Sequence, residues 1–108
     1  MAHDFETQRR ETFDTFKELP KGEKLPERAD IDFLFFPEDE GANYAPLSAA
    51  LKAKGFRISR DEELLVATKG PMPVTADAIW AEERLATEIA LTHDFYPDGW
   101  DLGLKDAP

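Results

Sequence analysis

The segment ADIDFLFF, Ala29 to Phe36, decides the fold that this sequence predicts. It begins with alternating polar and apolar residues and ends with four consecutive apolar residues. Continuous apolar runs are typical of strands covered on both faces, whereas half-exposed strands keep alternating. We therefore predict a central strand at 29–36. One of its faces lies in the core, and the other presents either Phe33 and Phe35 or Leu34 and Phe36, which need a cover of their own.

Two helices are predicted after this strand. Asn43 can cap a helix that Gly55 ends, and Thr75 can cap a second helix that runs to about Leu91. The side-chain oxygens of Asn43 and Thr75 can accept hydrogen bonds from the free backbone amides of the first helical turn. The apolar residues of each segment recur at helical spacing, so both helices are expected to lie on a core.

Three more strands complete the prediction. FRISR at 56–60 alternates apolar and basic residues like an edge strand, and ELLVATK at 63–69 is more continuously apolar, like a central strand. Glycine and prolines at 70–73 predict a break. Phe95 to Trp100 is predicted to be the last short strand or turn, with Asp98 and Gly99 forming a turn.

The order of these elements is that of the ferredoxin-like sandwich, βαββαβ. The predicted fold class is therefore α+β, with a four-stranded antiparallel sheet, two helices on one face and an extra N-terminal helix. Residues 1–28 are predicted to form an amphipathic helix and a charged linker, residues 29–104 the ferredoxin-like domain, and residues 105–108 a tail. The first and third strands should be central, because the charges and Pro97 fall in the other two.

The N-terminal helix needs a surface to lie on. Phe5, Phe13, Phe16 and Leu19 fall within one sector of its helical wheel. We expect this helix or a second subunit to cover the remaining face of the central strands.

The charge balance restricts the class of partner. The 108 residues include 23 acidic and 13 basic ones, a net charge of −10. Nucleic-acid binding is driven largely by Lys and Arg, so direct binding of nucleic acid is disfavoured. An acidic surface instead speeds encounter with a basic protein surface. The simplest alternative is that the acidity only maintains solubility.

Composition also bears on location and cofactors. The chain has no cysteine, which excludes disulfides and thiolate metal sites. The sequence lacks a leader-like amino terminus and any stretch near the ~20 apolar residues that cross a bilayer. We expect a cytoplasmic protein without membrane contact, cofactor or metal, and a homodimer is a further expectation.

Catalytic constellations are weak in this sequence. His3 and His93 each precede an aspartate, but neighbouring residues point apart and form no dyad. Asp94, Asp98 and Asp101 surround the closing segment without the spacing of an EF-hand. We predict no catalytic residue and no metal ligand, and an enzyme has the weakest support.

Three aromatic residues are candidates for partner binding: Trp80, Tyr96 and Trp100. Trp80 lies off the apolar stripe of its helix, on the side that carries Glu83, and interfaces favour large aromatics. Its alternative role is packing against a loop or the last strand. Glu82 falls inside the apolar sector and is expected to reach the rim of the core and pair with a base, for which Arg57 and Arg60 are candidates. For Trp100 we favour packing that closes the sheet.

Several motifs together resemble the regulator of ribonuclease activity B family. They are GFRIS at 55–59, LLVATKGPMPVTADAI at 64–79 and DFYPDGWD at 94–101. The residues that match the family pattern are Gly55, Phe56, Asp98, Gly99 and Trp100. Pro97 and Asp101 depart from it, and Pro108 ends the sequence without the long acidic tail of some members.

The resemblance implies a ferredoxin-like fold and a non-catalytic function. A known member of that family binds and inhibits ribonuclease E and alters messenger decay. By resemblance, we expect an acidic regulatory protein that binds ribonuclease E or its degradosome scaffold and modulates RNA turnover. The alternative from another class is a ferredoxin-like sensor domain for a small ligand, because this fold also holds effector-binding domains.

Overall fold

A computed structural model describes residues 3–19, 26–39 and 41–102. The elements along the chain are α1 (Phe5–Lys17), β1 (Arg28–Pro37), α2 (Tyr44–Ala53), β2 (Arg57–Asp61), β3 (Leu64–Pro73), α3 (Ala76–Leu91) and β4 (Phe95–Leu102). The fold is an α+β ferredoxin-like sandwich with an additional N-terminal helix, as predicted. Much of the predicted linker and the whole predicted tail lie outside the described residues.

The sheet has the strand order β2-β3-β1-β4, and all its pairs are antiparallel. The prediction that the first and third strands are central is confirmed. The caps at Asn43 and Thr75 are confirmed as well, since their side chains accept hydrogen bonds from the backbone amides of Ala45 and Ala78.

One face of the sheet, here called the inner face, carries the core. Phe33 pairs with Ala67 and Phe35 pairs with Leu65 in the β1–β3 ladder, and all four are buried. The helices contribute further fully buried side chains to the same cluster: Leu47 and Leu51 from α2, and Ile79, Ala86 and Ala90 from α3. Phe33 and Phe35 therefore face the helices.

Strand β3 continues where a break was predicted. Between Lys69 and Met72 it has one more residue than the opposite segment of β1, so Gly70 and Pro71 form a bulge inside the strand. Gly70 has a φ of +144°, and a Cβ there would lie 2.8 Å from the Cα of Asp30. The close approach of β1 thus requires a glycine.

The segment Pro97–Trp100 is a second bulge, and the predicted turn at Asp98 and Gly99 is wrong. Phe33 pairs with Trp100 and Phe35 with Pro97, so two residues of β4, Asp98 and Gly99, lie opposite the single residue Leu34 of β1. Gly99 adopts a φ of +103°, which a glycine tolerates. Because side chains alternate along a strand, the extra residue moves Trp100 to the inner face, onto which Phe95 also points.

Helix α1 does not cover the other face of the sheet. It packs against α3, and its ends are held by Asp4, which caps the helix, and by Phe16, which lies against the core. Phe36, on the other face, remains 39% exposed. Of the two covers that we predicted for that face, α1 therefore leaves Phe36 exposed.

Candidate functional site

The second face of the sheet carries an apolar patch that the described residues cover only in part: Phe36 and Tyr96 are exposed, Leu34 and Leu64 are half-buried, and Val66 is 8% exposed. Strand alternation and the pairs Leu34–Val66 and Phe36–Tyr96 bring five side chains together on three adjacent strands. We call this surface the open face; it consists of Leu34, Phe36, Leu64, Val66 and Tyr96. Phe36 and Tyr96 are the large apolar residues that are exposed among the described residues. Large exposed apolar patches mark interaction sites more often than isolated exposed residues do.

Phe36 and Tyr96 form an aromatic pair at the accessible side of the open face. Their ring centroids are 5.8 Å apart with an interplanar angle of 41°. The Tyr96 hydroxyl donates a hydrogen bond of 2.9 Å to Glu38. This bond and the charge of Glu38 raise the pKa of Tyr96 above its ordinary value, so the phenol stays protonated at neutral pH. The ring is therefore a neutral anchor that is held in place by a carboxylate.

Carboxylates flank the open face along the strands. Asp32 lies opposite Asp101 in the β1–β4 ladder and accepts a hydrogen bond of 2.6 Å from Thr68. At the other side of the patch, Asp61 pairs with Leu64 in the β2–β3 ladder. The arrangement is an apolar centre with acidic neighbours, which suits a partner that is apolar in the middle and basic at its edges.

A base on the same face is already neutralised. Arg57 donates a hydrogen bond of 2.8 Å to Asp30 and another of 3.2 Å to the Gly70 carbonyl oxygen. It lies opposite Thr68, beyond the apolar patch. Among the described residues, the unpaired charge next to the patch therefore comes from Asp32, Asp61 and Asp101.

The contact between α1 and α3 is polar at its centre. Gln8 donates to Glu83 at 3.2 Å and to the Thr87 hydroxyl at 3.0 Å, and Thr12 also donates to Glu83. All four side chains are buried. These bonds require a specific helix alignment, because a misplaced helix would leave buried polar groups without partners.

Glu83 is the buried ionisable group of this contact. Its side chain is 2% exposed, and burial raises its pKa above the ordinary value despite the bonds from Thr12 and Gln8. Glu11 adds to this increase, and His3 opposes it. Sequence reasoning had assigned Glu83 only to the side of α3 that carries Trp80. The spacing of Gln8 and Thr12, on the side of α1 that holds Phe16, was the signal that could have indicated the contact.

The three aromatic candidates do not form one surface. Tyr96 lies on the open face and is 38% exposed, whereas Trp100 lies on the inner face and is 8% exposed. The Trp100 ring packs 6.5 Å from that of Phe16 in α1, and Trp80 is half-buried on α3. Only Tyr96 thus belongs to the open face, and the sequence reasoning missed its neighbour Phe36 as a binding candidate.

The remaining motif residues have structural surroundings. Gly55 follows α2 with a φ of +95°, a left-handed conformation that ends the helix. Phe56 is buried and packs edge-on against Phe33, with ring centroids 6.1 Å apart. Asp98 is exposed in the β4 bulge. These motif residues are compatible with roles in the fold.

A cleft of about 760 Å³ separates α1 from β4. Glu83, Leu34 and Trp100 are among the residues that line it. The indole N–H of Trp100 is buried and has no hydrogen-bond partner among the described residues. The cleft has the volume of a small-molecule site, though it is open at one side.

The other histidine and carboxylate side chains that could carry chemistry do not form a cluster within the described residues. Within residues 3–19, 26–39 and 41–102, no three His, Asp or Glu side chains are grouped so that they could hold a metal ion. His93 is half-buried after the end of α3. Glu82 pairs with Lys69 at 2.9 Å, so the predicted pairing with a base is confirmed, although the base is Lys69 and not Arg57 or Arg60. None of the described helices combines the length and apolar character needed to cross a membrane.

Comparison with known proteins adds no family assignment: no protein-family model matches the chain, and no curated protein matches it.

Proposed function

We propose that this chain is a non-catalytic acidic regulatory protein that binds a protein partner through the open face of its sheet. The observation that carries the proposal is the exposed Phe36–Tyr96 pair between carboxylates. Aromatic residues supply much of the binding energy of protein interfaces, whereas charges mainly set orientation and encounter rate.

The resemblance of the sequence to the regulator of ribonuclease activity B family suggests the partner. By that resemblance the partner is ribonuclease E or its degradosome scaffold, and binding modulates RNA turnover in the cytoplasm. A basic surface on a ribonuclease or its scaffold would complement the net charge of −10. The same charge disfavours direct contact with RNA, so regulation would act through the protein.

A salt-dependent pull-down tests the proposal. The tagged full chain is incubated with an extract of its own cells at low and at moderate salt, and bound proteins are quantified by mass spectrometry. We expect ribonuclease E or a degradosome component at low salt, and less of it at moderate salt, because screening weakens attraction between surface charges.

A pair of variants identifies the surface. The Phe36→Ala, Tyr96→Ala double variant removes both rings of the open face, and Phe13→Ala removes a half-buried ring of α1 that stacks beneath Arg9. We expect the double variant to lose the ribonuclease and the Phe13 variant to retain it. Failure of the wild-type chain to recover any ribonuclease at low salt would refute the named partner.

A small-ligand sensor is the second candidate function. The volume of the cleft between α1 and β4, which Trp100 lines, supports this alternative. The indole N–H of Trp100 is also a buried donor without a partner among the described residues, and unsatisfied buried donors are costly.

A thermal-shift screen distinguishes the two candidates. A ligand of the cleft should raise the melting temperature further as its concentration increases, and Trp100→Phe should reduce that shift. A screen of metabolites that produces no shift would leave partner binding as the candidate that the open face supports.

A further inference from the structure

We infer that the occupant of the open face is a basic amphipathic helix of the partner protein. The inference rests on the proposed function and specifies the chemistry of the binding segment. It requires one apolar stripe on that helix, flanked on both sides by Lys or Arg.

The dimensions of the open face fit one helix. Its apolar residues lie on β3, β1 and β4, and the outer two of these strands are separated by two strand spacings, about 10 Å. A helix with its side chains has a diameter of about 10–12 Å. The inner face of the same sheet already carries helices at its apolar residues. A helix is therefore the element that this sheet packs against elsewhere.

The chemistry of the face favours a helix over an extended strand. A strand binds by backbone hydrogen bonds at a sheet edge and reads alternate side chains. The open face instead presents side chains from the central strand β1, among them Leu34 and Phe36, and this strand is already paired with β3 and β4. A helix uses residues at i, i+3, i+4 and i+7 to bury such a surface.

Charge distinguishes a basic helix from a second copy of the chain. A symmetric dimer across the open face would bring Asp32, Asp61 and Asp101 of both copies together, and like charges at an interface are strongly unfavourable. Lys or Arg residues beside the apolar stripe would instead face these carboxylates. Salt also affects the two occupants in opposite directions. Screening weakens the attraction of a basic helix to the carboxylates, and it reduces the repulsion between the carboxylates of two copies.

The test uses a synthetic probe. A fluorescein-labelled peptide of about 18 residues, about 27 Å long as a helix, carries Leu along one stripe and Lys or Arg elsewhere. A control peptide has the same composition in an order that destroys the stripe. Binding to the full chain is measured by fluorescence anisotropy at low and moderate salt.

We expect the striped peptide to bind at least about tenfold more tightly than the reordered one, because only the former buries the apolar centre. The Phe36→Ala, Tyr96→Ala variant should bind the striped peptide about tenfold more weakly than wild type does. The Phe13→Ala variant should bind it with the affinity of wild type. Binding should weaken with salt.

Backbone amide NMR shifts locate the bound peptide. Changes at Leu34, Phe36 and Val66 support the inference. Changes confined to the free edge of β4 or to α1, or equal affinity for both peptides, overturn it. Dimerisation of the unliganded chain that strengthens with salt and is abolished by Phe36→Ala, Tyr96→Ala would assign the face to a second copy, which also overturns it.

The outcomes separate this inference from the proposed function. If ribonuclease E is recovered through Phe36 and Tyr96 but the striped peptide binds no better than its control, the helix is wrong and the partner is right. If the peptide binds the open face and no ribonuclease is recovered, the named partner is wrong and the helix is right.

Discussion

The two faces of strand β1 differ in what they contact. Phe33 and Phe35 point to the inner face and are fully buried against the helices, whereas Phe36 points to the open face and is 39% exposed. Chemically similar residues thus alternate between a covered and an uncovered environment. The continuous apolar run in β1 thus supplies more apolar surface than the inner face buries, and the excess lies on the face that we propose binds a partner.

The largest expected effect comes from the inner face. Phe33→Ala should lower the free energy of unfolding by about 3–5 kcal/mol, because it leaves a cavity between β1, Phe56 and the helices. Urea unfolding followed by circular dichroism measures it. Phe33→Leu removes less side-chain volume, so it should lower the free energy of unfolding by a smaller amount. A loss below about 1 kcal/mol for Phe33→Ala would remove the contrast between the faces.

Trp100→Ala should lower the free energy of unfolding by nearly as much, about 3 kcal/mol or more. The bulge at Gly99 turns this ring into the core beside Phe16, so its removal leaves a cavity. The same unfolding experiment measures it, with Trp80→Ala as the control for loss of a half-buried tryptophan. Weakened partner binding with unchanged stability would instead assign Trp100 to the binding surface.

The pH dependence of stability tests the contact between α1 and α3. The pKa of Glu83 is raised in the folded chain above its ordinary value of 4.5. As pH rises from 4.5 to the folded pKa, the unfolded chain ionises first. This group's contribution to stability is therefore fully present below 4.5, declines through that window and stays low above it.

Glu83→Gln should remove this decline and leave a flatter stability profile, because the amide does not ionise. Unfolding midpoints between pH 4 and 8 measure the effect, and Glu88→Gln, an exposed glutamate of α3, is the matched control. The same decline in wild type and in Glu83→Gln would show that Glu83 is not its source.

The sheet order and the two caps could be predicted because they depend on local patterns: apolar runs at β1 and β3, charges and Pro97 at the edges, and Asn43 and Thr75 before helices. The side of β1 that would remain open could not be predicted. A run of four apolar residues makes both faces of the strand equally apolar. Only the packing of α2 and α3 decides which face is buried.

The two bulges escaped prediction for a different reason. Glycine and proline indicate a turn and a bulge equally well, and a bulge is defined by the residue count of the opposite strand. The buried role of Glu83 also depends on a distant segment, because Gln8 and Thr12 supply its partners. The candidate binding site was the part of the molecule least accessible to prediction. The sequence shows that Phe36 is apolar but does not show that it is exposed.

The smallest expected change in stability belongs to the open face. Phe36→Ala, Tyr96→Ala should lower the unfolding free energy by about 2 kcal/mol, less than either core substitution, because each ring keeps more than a third of its surface in water. Its effect on binding should nevertheless be the largest of the set, since exposed aromatics form the centre of the proposed interface.

The most direct test measures both properties on this one double variant: urea unfolding of the purified chain, and recovery of ribonuclease E by the tagged chain from its own cells at low salt. The account predicts that wild type recovers the ribonuclease and that the variant recovers at least about tenfold less of it, while its unfolding free energy falls by only about 2 kcal/mol and the variant stays folded. Equal recovery by both chains, or recovery by neither, would contradict it.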